Sequence, residues 1–306
     1  MKTSRFFTLL VSLLLCAGNF GVMRAQATAE DLIDSGSAKI AVGKFDEAIA
    51  DFSKALGLNP KSTEAFIGRG TAKKAKPDLD GAITDFTQAL KLDPKSAKAY
   101  SGRALARKAK GDLDGAIADF TSSLTFDQKS IENYFNRGEV KAMKKDFDGA
   151  IADYSRIIVL DPKNGYAYFR RSEPKREKGD LDGAINDLTR NIEIRAQQAN
   201  AYDYDARGWV KGLKKDWPGA MADFSRAIQL DPKYSAPWRN RAGVRNTLKD
   251  YAGAIADYTR AIELEPTDSY SYRIRGEAKK ALGDTSGAVA DLTRANQLDR
   301  QRAVAR

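Results

Sequence analysis

Two series of charged residues recur along this chain at fixed intervals, and both could do chemistry. Asp51, Asp85, Asp119, Asp153, Asp187, Asp223, Asp257 and Asp291 form one series; Arg69, Arg103, Arg137, Arg171, Arg207, Arg241 and Arg275 form the other. A ladder of arginines can grip phosphates, and paired carboxylates can move a proton or hold a metal. The remaining ingredients of a reaction are missing. There is no histidine, and the single cysteine is Cys16. Their scarcity removes the commonest metal ligands, the usual general base and the thiolate nucleophile together. No glycine-rich phosphate loop occurs either. Charges that recur in step with a period behave as structural parts, so no catalytic residue, metal site or cofactor is assigned. The chain reads as a non-enzyme. The arginines and aspartates are read as ion pairs along a helix seam, with the arginine stems packed apolarly. Arg69 is expected to meet Asp51, and Arg275 to meet Asp257, each in the preceding repeat. The motive is Ser35, which stands where the first repeat alone lacks the arginine.

The elements that must position these charges are written in a sentence that keeps returning. "GDLDGAIADF" from Gly111 is echoed by "DLDGAITDF" from Asp78, "DFDGAIADY" from Asp146 and "DLDGAINDL" from Asp180, and again by "DWPGAMADF", "DYAGAIADY" and "DTSGAVADL". Alignment gives a period of 34 residues and eight units: 29–62, 63–96, 97–130, 131–164, 165–198, 201–234, 235–268 and 269–302, with a tail at 303–306. Ala199-Asn200 is a two-residue slip between the fifth and sixth units. Ala48, Ala82, Ala116, Ala150, Ala184, Ala220, Ala254 and Ala288 hold one position without exception, which lets two helices approach closely. Gly-Asp at 111–112 and 179–180 stops one helix and starts the next, and Asp-Pro at 93–94, 161–162 and 231–232 ends the second. The pattern predicts two helices per unit and no strand. Pro174 falls inside a first helix, and Asn191 and Arg195-Ala196 break the pattern of the fifth unit, so a kink is expected there, by drift or as a hinge. Pro218 and Pro237 fall at helix starts and are harmless. Asn296 replaces the Leu or Ile of the other units and is expected to face water.

This register resembles the tetratricopeptide repeat, a helix–turn–helix unit of the same length, over residues 29–302. The resemblance implies an all-α fold, a right-handed superhelical solenoid whose first helices line a concave groove that binds proteins or peptides. Where the family has Leu and Tyr, this chain has the Arg series and a second basic series, Lys39, Lys73, Arg107, Lys141, Lys175, Lys211, Arg245 and Lys279. The second series lies late in each first helix and complements the helix dipole. On the groove stripe, aromatic and basic residues gather from the fourth unit onward: Phe135, Tyr166, Phe169, Arg176, Tyr202, Trp209, Arg239, Tyr270 and Arg273. They are the expected partner-binding residues, the arginines favouring acidic groups; the competing reading packs some of the rings between neighbouring helices. The family's clamp for a terminal carboxylate is not carried over. Its positions in the first three units hold Ile33, Ser37, Gly68, Lys98 and Gly102, of which Lys98 alone fits.

Lys2 and Arg5 precede an apolar run from Phe6 to Gly18, and Ala25-Gln26-Ala27 supplies small residues two apart. Residues 1–27 are read as a signal peptide cleaved after Ala27, giving a periplasmic or secreted scaffold. Two alternatives stand beside it. One is an uncleaved anchor, and the other is lipidation at Cys16, which would make the chain a lipid-anchored assembly factor at the outer membrane. Lipidation wants a small residue where Leu15 stands. The formal charge of +10 would suit nucleic acid or another acidic polymer. The dispersal of the basic residues and their complementarity to helix ends argue against that partner.

Overall fold

The structure is a computed structural model that describes residues 27–304. The leader read over residues 1–27 lies almost wholly outside the described residues, as do Cys16 and the last two residues of the tail. The described residues form two compact units, divided between Lys110 and Gly111. The first contains α1 (Ala29–Ala41), α2 (Phe45–Leu58), α3 (Thr63–Ala75), α4 (Leu79–Leu92) and α5 (Ala97–Lys110). The second contains α6 (Leu113–Phe126), α7 (Ile131–Met143), α8 (Phe147–Leu160), α9 (Gly165–Glu177), α10 (Leu181–Arg195) and α11 (Ala201–Leu213). It continues with α12 (Trp217–Leu230), α13 (Ser235–Thr247), α14 (Tyr251–Leu264), α15 (Ser269–Ala281) and α16 (Thr285–Val304). Among the described residues there is no strand.

The returning sentence is a helix start. Asp146 caps α8 by accepting from the Gly149 amide at 3.0 Å, and Asp78, Asp180, Asp216, Asp250 and Asp284 do the same in their repeats. Glycine stands three residues after the cap, where the carboxylate folds over its amide: a Cβ on Gly149 would lie 2.2 Å from the capping carboxylate. The alanine that follows is completely buried in every repeat but the last, where Ala288 is 2% exposed. Beside it a large ring or Leu fills the space between helices: Phe52, Phe86, Phe120, Tyr154, Leu188, Phe224 and Tyr258 are all buried.

The charged series forms a repeated three-way contact, but the pairing is within a repeat. Arg69 forks onto Asp85, with Nε 3.0 Å from Oδ2 and Nη2 2.7 Å from Oδ1, and Arg275 forks onto Asp291 at 2.8 and 2.7 Å. The expected partners Asp51 and Asp257 are held instead by Lys39 and by Arg241 with Arg245. Within each unit the antiparallel hairpins bring the Arg and Asp faces together, and the arginine has one nitrogen left. That donor, Nη1, reaches back to a hydroxyl of the preceding repeat: Arg69 to Ser53, Arg171 to Ser155, Arg241 to Ser225, Arg275 to Thr259. The inter-repeat link is therefore a hydrogen bond to Ser or Thr. Each guanidinium also lies over the aromatic residue one turn earlier, as Arg171 does over Tyr168 at 5.5 Å. The second basic series completes the contact, with Lys175 Nζ 2.8 Å from Asp187 and Lys141 Nζ 2.9 Å from Asp153. In the first pair Ser35 donates to Asp51 in the arginine's place.

A second, exposed ladder joins consecutive repeats: Lys76 to Asp46, Lys110 to Asp80, Lys144 to Asp114, Lys178 to Asp148 and Lys214 to Asp182. Where it stops, both sides change together, Pro218 with Leu248 and Ala252 with Leu282. Exposed pairs contribute little. Lys144→Ala is expected to change unfolding in urea by less than about 1 kcal/mol; a larger loss would show that the ladder holds repeats together.

The fifth repeat departs differently from expectation. Helix α9 is helical from Gly165 to Glu177 with Pro174 buried inside it, and the irregularity follows α10, as a 3-10 turn at Ala196–Gln198. The unusual residues there form one polar cluster. Asp203, 1% exposed, takes Asn191 Nδ2 at 2.8 Å and Arg195 Nη1 at 2.9 Å, and also caps the start of α11 with Asn200. At the far end of the chain Asn296 is exposed, as expected.

Candidate functional site

Within the second unit, α9, α11 and α13 lie side by side and carry most of the expected binding residues. Their rings make a continuous run. Phe135 on α7 meets Tyr166 at 5.3 Å between centroids, Tyr166 stacks on Phe169 at 6.4 Å and 8°, and Phe169 meets Tyr202 at 5.6 Å. The aromatics divide by exposure. Phe135 and Phe169 are half-buried between neighbouring helices, whereas Tyr166, Tyr202, Trp209 and Tyr270 each expose about half of their surface. A cavity of about 470 Å³ opens between α9, α11 and α13, with Phe169, Tyr202, Trp209 and Tyr234 around it and Arg176, Arg239, Glu173 and Asp205 supplying charge. Trp209 and Arg239 also line a smaller cavity of about 360 Å³ that includes Tyr270. Phe135 and Arg273 line neither.

The three arginines expected to favour acidic groups are each engaged already. Arg176 lies over the Trp209 ring at 4.5 Å and pairs with Glu177 at 2.5 Å. Arg239 is 3.5 Å from Asp268, and Arg273 is 2.5 Å from Asp299. Two further residues shape the cavity. Asp205 is 7% exposed; it accepts from Asn240 Nδ2 at 2.9 Å and from the Tyr234 hydroxyl at 3.2 Å. Burial pushes its carboxyl above the ordinary aspartate range, with those two hydrogen bonds and the Arg239 charge acting the other way. Tyr234 was detectable in the sequence. The same place holds Ser62, Ser96, Ser130, Asn164 and Asp268 elsewhere, each capping the following helix. Tyr234 makes no side-chain cap and turns into the cavity instead. No group of His, Cys, Asp or Glu suited to a metal occurs among the described residues.

Family models described as TPR repeat and tetratricopeptide repeat match residues 70–111, 33–83 and 240–268. The chain is a tetratricopeptide repeat protein. Solved structures of the same fold agree. The C-terminal part of a TPR repeat-containing protein from Cytophaga hutchinsonii superposes with a TM-score of 0.68 at 15% identity, over 78% of this chain and 97% of that one. A tetratricopeptide repeat protein from Parabacteroides merdae gives 0.56 at 17% identity, over 82% and 98%. YrrB, a TPR protein with an unusual peptide-binding site, gives 0.54 at 20% identity, over 61% and 95%. No curated protein matches the chain significantly. As a tetratricopeptide repeat protein the chain has the fold of a protein–protein interaction scaffold.

Proposed function

We propose that this tetratricopeptide repeat protein is a non-enzymatic scaffold that holds a peptide or protein segment against α9, α11 and α13. One observation carries the reading: half-exposed Tyr202 and Trp209 stand at a 470 Å³ cavity whose buried lining mixes apolar Leu188 and Val210 with Asp205 and Ser172. Exposed rings around a concave, largely apolar site with a few polar groups are what interface anchors look like, and truncating such an anchor commonly costs about 2 kcal/mol or more. Trp209→Ala and Phe169→Ala are each expected to weaken binding of peptides selected from a random library on the full chain by at least about tenfold, with helicity unchanged. Unchanged affinity in both variants would move the site elsewhere.

The same reading places the scaffold outside the cytoplasm, on the strength of the charged start, apolar run and small-residue junction within residues 1–27. The N-terminal residue of protein recovered from a bacterial periplasm is expected to be Thr28; an intact Met1 would argue against cleavage.

A further inference from the structure

We infer that the cavity accepts a lysine or arginine side chain from the bound segment, with the Asp205 carboxylate as its counter-ion. The inference rests on the peptide-binding reading and adds the chemistry of the partner. Asp205 does not belong to the repeated charge pattern. The equivalent places in the other repeats hold Ile33, Ile67, Ser101, Phe135, Phe169, Arg239 and Arg273, so the fold itself does not call for an acid there. The structural aspartates make the contrast. Asp187 is as buried as Asp205 and receives an arginine fork and a lysine, whereas among the described residues Asp205 receives one neutral hydrogen bond on each oxygen and no ion pair. A carboxylate has about four acceptor sites, and a buried one is costly unless a cation neutralises it.

The cations nearby are held elsewhere. Arg239 acts on Asp205 through space while bound to Asp268, and Arg176 is fixed between Trp209 and Glu177. Glu173, exposed at the rim, forms no ion pair with any described residue and adds a second negative charge to the entrance. Around this acid stand Tyr202, Tyr234 and Phe169, whose faces suit the alkyl stem and the cationic head of a long basic side chain. An acidic side chain in the same place would set its charge against both Asp205 and Glu173.

The probe is a peptide array, otherwise randomised, whose central residue is Arg, Lys, Gln or Glu, tested on the full chain. Arg and Lys peptides are expected to bind at least about tenfold better than Gln peptides, and Glu peptides worst. Asp205→Asn should bring Arg and Lys peptides down to the Gln level while leaving Gln binding in place. Tyr234→Phe keeps the carboxylate and should keep the preference, which separates loss of charge from loss of folding. Equal or better binding of Glu peptides to the native chain overturns the inference. So does equal binding of all sets, although the groove then stands if Trp209→Ala abolishes it. If no set binds better to the native chain than to Trp209→Ala, the peptide-binding reading fails, and this inference with it.

Discussion

Asp187→Ala is expected to destabilise the chain by about 3–5 kcal/mol, because it strands two partly buried cations at once. The Asp187 carboxylate is 4% exposed, and Arg171 and Lys175 converge on it with little access to water of their own. Urea unfolding followed by helicity reads the loss. Repeats contact only their neighbours, so hydrogen exchange should show it first in α9 and α10. The double variant Arg171→Ala/Asp187→Ala should lose less than the sum of the single ones, since removing both partners leaves no uncompensated charge. A loss below about 1 kcal/mol for Asp187→Ala would mean that the arginine fork, the lysine and the hydroxyl together contribute only what a surface pair does. Acid should act on the same contact. In Asp291, burial raises the carboxyl, but hydrogen bonds from Arg275 and Lys279 outweigh it and hold the group below its ordinary value. A group lowered on folding stabilises fully above its unfolded value, near pH 4, and that contribution disappears as pH falls through the folded value.

The second large effect is steric. A Cβ on Gly102 would lie 2.4 Å from the Phe86 ring, which is itself 1% exposed and hemmed in by buried alanines. Gly102→Ala is expected to cost about 1–3 kcal/mol through overpacking. The chain supplies its own remedy three junctions later, where Leu188 faces Ala206 in the equivalent places. Phe86→Leu introduced with Gly102→Ala should recover most of the loss, measured by urea unfolding of both single variants and the pair. If the pair is additive, the two side chains do not share that space.

The period, the helix pairs and the alanine approach were legible in the sequence because each is a local pattern repeated in register. The partner of each arginine was not. In a periodic chain Asp51 and Asp85 are the same residue in the same setting, so spacing alone cannot say which of them Arg69 meets. The hydroxyl series Ser53, Ser155, Ser225 and Thr259 carried the missing information, since it is what spans the junction. Along α9 and α11, the stripe put the rings on one surface, as the ring contacts from Tyr166 to Tyr202 show. It could not show that Arg176, Arg239 and Arg273 are each occupied, nor that Asp205 is buried, because no other repeat has an acid in the equivalent place. Tyr234 announced itself only as a missing cap.

An array of near-identical units faces a hazard that varied sequences avoid: any second helix can dock against almost any first helix, and a skipped or exchanged repeat still buries its alanines. The cluster of Asn191, Arg195 and Asp203 answers it. Only α10 offers the amide and guanidinium that Asp203 needs, across a junction lengthened by two residues. Among first helices that follow another repeat only α11 offers the acid, Asp31 holding the same place in α1. A wrong neighbour would enclose an uncompensated carboxylate. That junction acts as a punctuation mark, telling a monotonous chain which copy of itself it has reached.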